Sequence, residues 1–214
     1  MTQHITLQRD ERRELVLLNP TEADLCILQE AGSVLRLHLI NLDGRDADNR
    51  ITVEQRGAGC ETELYGLALT HGTQQVNNLT HVNHAIGGGC SAQLFKYILD
   101  GQSRGFYRGE LVIARDAQQT SAQQTNRNLL LCEGARMRTM PQLEIYADDV
   151  KASHGATTGQ LDEHALFYMQ QRGIPKEKAR QLLLQAFMAD VVDSISDEAM
   201  RESIRQTIEK QLAN

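Results

Sequence analysis

The sequence contains no tryptophan, only three prolines, and aromatic residues at 4% of its 214 positions. It also lacks an apolar run of about 18 residues, the length that a membrane-spanning helix requires. The N-terminal stretch has no apolar core of the kind found in secretory signal peptides. We therefore expect a cytoplasmic protein with no membrane partner. Hydrophobic residues still make up 41% of the chain, which is enough to bury a substantial core.

Basic residues are scattered rather than clustered, with 22 Lys and Arg against 28 Asp and Glu and a net charge of −6. Proteins that bind nucleic acid concentrate their basic residues, so we expect no nucleic-acid partner. The cysteines contain no Cys-x-x-Cys pair, which disfavours a local zinc site and a dense disulfide framework. We expect each to be a small buried apolar residue. They are Cys26, Cys60, Cys90 and Cys132.

Short strand-like segments fill the chain from about Glu14 to His154. Examples are ELVLL, VLRLHLI, RITVEQR, TELYGLAL, QLFKYIL, GFYRGELVIA, NLLLC and LEIYA. They alternate apolar with polar residues and are broken by Gly, Asn and Asp. No helical pattern of 10 to 15 residues lies between them, so a βαβ arrangement is disfavoured. The sequence predicts a mainly β body in which the glycines after His154 form a turn.

Two all-β architectures compete for this region, a solenoid of stacked coils and a sandwich or barrel. Polar residues are frequent inside the strands, as in TQQVNNLTHVNH and AQQTSAQQTNRNLLL. Rows of Asn, Gln and Thr suit stacked coils, because like residues can align between neighbouring strands. We favour the solenoid, although no strict hexapeptide or nonapeptide repeat is visible.

The sequence pattern becomes helical after Gly159, which divides the chain into a β core at 1–159 and a helical subdomain at 160–214. Asp162 is the predicted N-cap of a first helix that stops at Gly173. A second helix starts near Pro175 and a third near Ser196. Their predicted packing faces are Ala165, Leu166 and Met169, then Ala179, Leu182, Leu183, Ala186 and Phe187, then Met200, Ile204, Ile208 and Leu212. We expect the third helix to pack on its own protein.

Motifs that mark enzymes are missing. The glycine-rich AIGGGCSA has no following helix and no Lys-Ser or Lys-Thr, so it does not form a phosphate-binding loop. No G-x-S-x-G, H-E-x-x-H or G-x-G-x-x-G motif occurs. His81 and His84 are three residues apart, which in a strand places them on opposite faces and prevents them from sharing a metal.

The stretch DDVKASHGATTGQ holds one candidate ligand. If it is a strand, Val150, Ala152 and His154 share one face, with successive side chains about 7 Å apart. Only His154 on this face can coordinate a metal. The residues alone leave two readings open, a metal ligand and an ordinary hydrogen-bonded histidine.

A longer run around this stretch, TNRNLLLCEGARMRTMPQLEIYADDVKASHGATTGQLDEHALFYMQQRGI, resembles the signature region of the SufB/SufD family of iron–sulfur cluster assembly scaffolds. The resemblance covers about 115 residues well, and the first 80 residues resemble the family weakly. DDVK-x-SHGAT is typical of the SufD side of the family. That side normally carries an N-terminal helical region, which has no counterpart here, so we expect the chain to be a C-terminal portion.

The resemblance implies a right-handed parallel β-helix followed by a C-terminal helical subdomain, in a non-catalytic scaffold subunit. It implies two kinds of partner, a SufB-like scaffold and a SufC-like ABC ATPase. The SufB-like partner would join at Val150, Ala152 and His154. The SufC-like partner would dock on the helices, and the residues expected to bind it are Leu166, Phe167, Arg172, Leu183 and Phe187.

The resemblance also gives His154 a role, as a ligand for iron or a nascent iron–sulfur cluster at the interface with SufB. The family commonly has cysteine two residues earlier, where this chain has Ala152. We therefore expect no cofactor bound stably by the isolated chain, and iron or a cluster held transiently in the complex.

Two alternatives from other classes remain. A β-solenoid enzyme would show hexapeptide repeats or convergent carboxylates with aromatic platforms, and the sequence offers little of either. A self-associating structural module would form a homodimer through an exposed terminal strand.

Overall fold

The computed structural model describes residues 1–213, in which twelve β-strands precede three α-helices. The strands are β1 (Gln3–Leu7), β2 (Arg12–Leu18), β3 (Asp24–Gln29), β4 (Val34–Asn41), β5 (Ala47–Gln55), β6 (Glu61–Thr70), β7 (Gln75–His84), β8 (Cys90–Leu99), β9 (Arg104–Ile113), β10 (Thr120–Leu130), β11 (Arg136–Ile145) and β12 (Val150–Gly159). The helices are α1 (Glu163–Gln171), α2 (Lys176–Asp193) and α3 (Glu198–Leu212).

The strands form two six-stranded sheets, with the order β1-β3-β5-β7-β9-β11 in the first and β12-β10-β8-β6-β4-β2 in the second. All pairs between neighbouring strands are parallel. Consecutive strands alternate between the sheets, so each coil of the chain stacks on the previous one. The mainly β solenoid predicted from the polar strand residues is confirmed.

Two details of the strand prediction are wrong. Strands begin at Gln3 rather than near Glu14, because β1 buries only Leu7 and its sequence shows little alternation. Gly155 and Gly159 lie inside β12 rather than in a turn, since they pair with Thr125 and Leu129 of β10. Register against the neighbouring strand outweighs the local preference of glycine for turns.

The solenoid interior combines an apolar cluster with rows of hydrogen-bonded polar side chains. Asn49 and Asn78 are register partners, and the Asn49 side-chain amide donates to the Asn78 oxygen at 3.0 Å. Asn78 in turn donates to the Tyr97 hydroxyl at 2.7 Å. Buried polar groups need such partners to offset their lost hydration. The polar runs that predicted a solenoid therefore do form rows between coils.

Close backbone contact between stacked turns fixes the spacing of the coils on one side. Gly101 has a φ of 68°, and a Cβ built there would lie 2.8 Å from the amide nitrogen of Gly72. The same construction at Gly134 would lie 2.4 Å from the Gly101 carbonyl oxygen. Glycine is needed here because any side chain would push the turns apart.

Helices α2 and α3 pack on the outer face of the second sheet, and α1 packs against α2. The buried residues of α2 and α3 and of the segment between them form one cluster with residues on and next to β4, β6 and β8, and its members are Ile40, Leu42, Leu67, Leu69, Ile98, Leu184, Met188, Val191, Val192, Ile195, Ile204 and Ile208. Asp162 caps α1 and Gly173 follows it with a φ of 82°, as predicted. The third helix packs on its own protein, as predicted. Among residues 1–213 no helix is both long and apolar enough to cross a membrane.

The packing face of α2 differs from the predicted one. Ala179, Leu184 and Met188 are buried, whereas Leu183 and Phe187 are half-buried and Ala186 is exposed. The buried residues differ from the predicted ones because α2 packs against the sheet on one side and against α3 on the other. Residues on two sides of the helix are therefore buried.

Candidate binding surfaces at the solenoid end and on the helices

The last strand of the second sheet, β12, has a neighbour on one side only. It pairs with β10, and its other edge forms the end of the sheet. Such an edge presents unpaired backbone donors and acceptors to any chain that can add a strand. The solenoid therefore ends in a surface that can accept another β-structure.

The inward-facing row of β12 lies open at this end. His154 is the register partner of Gln124 and Ala156 of Asn126, and both β10 residues are buried inside the solenoid. Val150 and Ala152 in the same row are half-buried, but from His154 onward the strand is exposed. In the earlier coils the residues of this row are buried in the solenoid interior, whereas in the last coil, at β12, they are exposed.

His154 lies on the same face as Val150 and Ala152, as predicted. Within residues 1–213 no three His, Cys, Asp or Glu side chains come together in a way that could hold a metal ion. Among these described residues His154 is therefore not part of such a group. A metal bound there would need further ligands from another protein.

The two histidines of β7 face opposite ways, as predicted. His84 is buried, with Nε2 2.8 Å from the Ser91 hydroxyl, and burial lowers the pKa of its imidazole to about 4. His81 is half-exposed on the outer face, with Nδ1 3.2 Å from a carboxylate oxygen of Glu110. Neither is arranged as a shared metal ligand.

The four cysteines are free thiols, and the expectation that each is buried is wrong for part of the set. Cys60 is buried and Cys26 and Cys132 are half-buried, but Cys90 is exposed. Cys90 is the first residue of β8 and lies in the exposed row of its first half, which alternates with buried residues. Burial of a cysteine depends on the cover over its strand, which composition does not reveal.

Helix α1 presents an aromatic pair to solvent. Phe167 and Tyr168 are 62% and 60% exposed. The Arg172 guanidinium lies 5.0 Å from the centre of the Tyr168 ring and donates to its hydroxyl at 2.8 Å. Large exposed aromatic side chains next to arginine are typical of protein interfaces. Leu166, predicted with them, is buried and is not part of this surface.

Helix α2 is attached to the sheet through a buried lysine of β8. Lys96 is 2% exposed, and its Nζ donates to the Phe187 carbonyl at 2.6 Å and to the Asp190 carboxylate at 2.7 Å. The same ammonium lies 4.9 Å from the centre of the Phe187 ring. Burial acts to raise the pKa of Asp190, but the hydrogen bond and charge of Lys96 outweigh it and lower the pKa.

A second attachment lies at the end of α2. His38 of β4 is buried, stacks on Tyr65 with ring centres 5.1 Å apart, and has Nε2 2.9 Å from the Ser194 hydroxyl. Burial lowers the pKa of His38, and Glu14, 3.6 Å from Nδ1, partly opposes that shift. These two links hold the helical subdomain against one side of the solenoid. Neither was foreseen, because Lys96 and His38 read as ordinary strand residues.

The fold and its surfaces define a class of protein: a parallel β-solenoid that ends in an exposed edge strand and carries a C-terminal helical subdomain. Comparison with known proteins agrees. The family model described as SUF system FeS cluster assembly, SufBD core domain, matches residues 2–187. The chain therefore belongs to the SufB/SufD family of Suf iron–sulfur cluster assembly proteins, and its relatives place it with the SufD type.

Three relatives illustrate the similarity. The Escherichia coli (strain K12) iron–sulfur cluster assembly protein SufD is 33% identical over 189 residues, which are 88% of this chain and 44% of that protein. A SufBD family protein of Synechocystis sp. is 34% identical over 96% of this chain and 44% of its own length. The chloroplastic protein ABCI7 of Arabidopsis thaliana is 34% identical over 85% of this chain and 38% of its own. The chain thus spans less than half the length of these relatives.

Proposed function

We propose that this chain is the β-solenoid and docking portion of a scaffold subunit in iron–sulfur cluster assembly. It pairs with a SufB-like scaffold through β12 and binds a SufC-like ABC ATPase through its helices. It catalyses no reaction of its own, and iron or a nascent cluster is cargo held only while the complex is assembled. The family to which the chain belongs supports this role.

The observation that carries the pairing is the open inward row of β12. Gln124 and Asn126 are covered by β12, whereas the residues of β12 that continue their rows are exposed. A partner that adds a strand here would extend both the backbone hydrogen bonds and the interior rows. A SufB-like partner that is itself a parallel β-solenoid would be able to do so.

His154 supports the cargo role because it lies in that row, beside the edge where the partner would add. Its imidazole nitrogen is a suitable ligand for iron, and the remaining ligands would come from the SufB-like protein. Ala152 provides no thiolate on the same face. The site would therefore form only when the two scaffolds meet, which fits a cargo that is bound briefly and released.

The surface proposed for the ATPase includes Phe167, Tyr168 and Arg172 of α1. Their exposure supports this, because large aromatic side chains this open to water often belong to surfaces that contact other proteins. Leu183 and Phe187 lie on the neighbouring α2, half-buried, so a partner could contact their outer edges.

The two attachments of α2 to the sheet suggest how the ATPase would act. Displacement of α2 by ATP-driven motion would pull on Lys96 in β8, which is one strand away from β10 and two from β12. The helices and the open end thus share one sheet, and motion at one can change the other.

Pairing with SufB can be tested by placing a charge in the open row. Ala156→Glu in the full-length protein should abolish co-purification with a SufB-like partner, because the carboxylate would be buried without a counter-ion. Ser153→Glu, on the opposite face of the same strand, is the matched control and should retain pairing. Equal pairing by both variants would contradict the interface. Loss of a homodimer in Ala156→Glu, without any effect on SufB, would favour self-association instead.

The ligand role is tested separately. His154→Ala should leave the assembled complex intact and reduce cluster formation in it, because only a ligand is lost. Iron binding by the complex, measured by absorption and metal analysis, should fall with it. Unchanged cluster formation and iron content in His154→Ala would refute the ligand role while leaving the pairing untouched.

Docking of the ATPase is tested on α1. Phe167→Asp should prevent co-purification with a SufC-like ATPase, because it puts a charge into an apolar contact, while Phe167→Leu keeps an apolar side chain and should bind. Thermal unfolding should be unchanged in both, since Phe167 is exposed. Unchanged ATPase binding by Phe167→Asp would show that the docking surface does not include Phe167.

A further inference from the structure

The outer face of the first sheet carries an arginine groove that the proposed function does not use. We define it by two rows of register partners across β7, β9 and β11. One row is Gln75, Arg104 and Arg136, and the other is Asn77, Phe106 and Arg138. The groove has a volume of about 490 Å³ at the end where the turns bearing Gln102 and Gly134 approach it. The helices pack on the other sheet and leave this face exposed.

The three arginines of the groove have no carboxylate partner in the described part of the chain. Arg136 donates to the carbonyls of Glu133 and Ala135, and Arg138 lies with its guanidinium 5.6 Å from the centre of the Phe106 ring. The neighbouring Arg108 differs, because it is paired with Glu110. Arg108 therefore adds no unpaired charge to the three arginines of the groove.

Arg104 and Arg136 are directly opposite each other on paired strands. Like charges in that position repel each other and destabilise the pairing of the two strands. The chain as a whole carries a net charge of −6, so positive charge is not simply in excess. A negatively charged occupant would remove the repulsion.

Acidic residues border the groove on its β5 side. Asp46 accepts a hydrogen bond from the Gln75 backbone at 2.8 Å, and Asp48 is the register partner of Asn77. The β5 side is two strands away from β9 and three from β11, which carry the arginines. Neither aspartate forms an ion pair with a groove arginine in the described part of the chain, so the groove has an acidic side next to β5 and a basic side on β9 and β11.

From these features we infer that the arginine groove docks a carboxylate-rich segment of a partner protein. A guanidinium holds a carboxylate through two parallel hydrogen bonds, and Phe106 with the amides of Gln75 and Asn77 offers the mixed apolar and polar surface usual at protein interfaces. Arg136 and Arg138 are two residues apart on one strand, about 7 Å, which matches carboxylates two residues apart in an extended segment.

The shape of the groove favours a protein over a small phosphate compound. Phosphate sites are usually concave and use backbone amides at a helix N-terminus or a glycine-rich turn. This groove is open along a sheet face and its donors are side chains. Three arginines on an acidic chain are also too few for a nucleic-acid surface.

The test measures binding of the full chain to a fluorescein-labelled twelve-residue peptide of alternating Glu and Ser at low salt. A matched peptide with Gln in place of Glu should not bind. The triple variant Arg104→Gln, Arg136→Gln and Arg138→Gln should bind the Glu peptide about tenfold more weakly or worse, from three exposed pairs together. Arg104→Lys, which keeps the charge but not the planar fork, should be intermediate.

Arg9→Gln is the matched control, an exposed arginine outside the groove, and should bind within about twofold of the unaltered chain. Equal weakening by Arg9→Gln would overturn the proposal, because attraction would then be non-specific. So would unchanged binding by the triple variant, or no binding of the Glu peptide at all. Tighter groove-dependent binding of tripolyphosphate or of a single-stranded oligonucleotide would assign the groove to phosphates instead. A groove-dependent dimer of the chain would assign it to a second copy.

Discussion

The Lys96 ammonium lies 2.7 Å from the Asp190 carboxylate, and this contact joins the solenoid to α2 across 94 residues of sequence. The two ends differ in exposure, since the lysine side chain is 2% exposed and the aspartate 50%. The lysine therefore depends on the pair more than the aspartate does. This difference in exposure predicts which of the two substitutions, at Asp190 or at Lys96, lowers the stability of the chain more.

We expect Asp190→Asn to destabilise the chain by about 1–3 kcal/mol, because it removes the negative charge paired with a buried ammonium and leaves only neutral acceptors, the new side-chain amide and the Phe187 carbonyl. Lys96→Met should cost less, since it removes the buried charge, keeps an apolar stem and leaves only a half-exposed carboxylate. Urea unfolding of both variants measures the difference. The same or greater loss in Lys96→Met would show that the lysine stem, not the pair, supports α2.

The lowered pKa of Asp190 predicts how the stability of the folded chain depends on pH. A carboxyl group whose pKa is lowered on folding stabilises the folded state above its unfolded pKa, and that contribution is lost as pH falls through the lower folded value. The loss should therefore occur below about pH 4. The pH dependence of unfolding in this range should be flatter for Asp190→Asn than for the unaltered chain.

His84 predicts pH dependence in a higher range. The unfolded chain gains a proton at this residue below about pH 6.5, whereas the folded chain resists it until about pH 4. Stability should fall as pH drops between these values, by about 3 kcal/mol from this residue at most. His84→Asn should flatten the curve in this window, and His81→Asn on the outer face should not. The lowered pKa of His38 acts in the same direction, so some slope should remain.

The interior leaves no room for a methyl group at Gly66. A Cβ there would lie 2.0 Å from Cδ1 of Phe95, whose ring is stacked on Tyr107 with centres 4.6 Å apart. Gly66→Ala should cost about 1–3 kcal/mol from overpacking. Gly155→Ala is the control, because nothing lies within 4 Å of its Cβ position. Thermal unfolding of the two variants checks this, and a neutral Gly66→Ala would mean that the Phe95 ring can move.

The polar rows inside the solenoid should contribute measurably to stability. Asn78→Leu keeps the approximate size but removes one hydrogen bond each from Asn49 and Tyr97, and should destabilise the chain by about 1–3 kcal/mol from the two lost buried hydrogen bonds. Asn77→Leu, on the outward face of the same strand, should change stability by less than about 0.5 kcal/mol. Equal effects would mean that the interior row is compensated by water.

The parts of the structure that the sequence revealed are those with a local signal. Asp162 and Gly173 mark the ends of α1 because capping chemistry is local, and runs of Asn, Gln and Thr revealed the solenoid because stacking repeats them. The open row at His154 was predictable from the two-residue period of a strand together with the family resemblance. Each of these features can be predicted from a few neighbouring residues in the sequence.

The parts that were missed depend on distant residues. Lys96 meets Asp190, and Arg104 meets Arg136, only because register and coil stacking bring them together. The buried face of α2 was turned from the predicted one because both the sheet and α3 cover it. The exposed position of Tyr168 could have been predicted, since the motif LFY places it beside Phe167. Its stacking with Arg172 could not, because that contact depends on how the two side chains are oriented on the surface of α1.

The helices and the arginine groove lie on opposite sides of the solenoid. Helices α2 and α3 pack on the outer face of the second sheet, the groove lies on the outer face of the first sheet, and β12 is the edge strand of the second sheet at the end of the solenoid. The proposed partners at these three places would contact different surfaces of the chain. Saturating one surface with its partner should leave the affinities of the other two surfaces unchanged, unless binding at one surface alters the solenoid at another. A measured change in affinity would therefore give the coupling free energy between those surfaces.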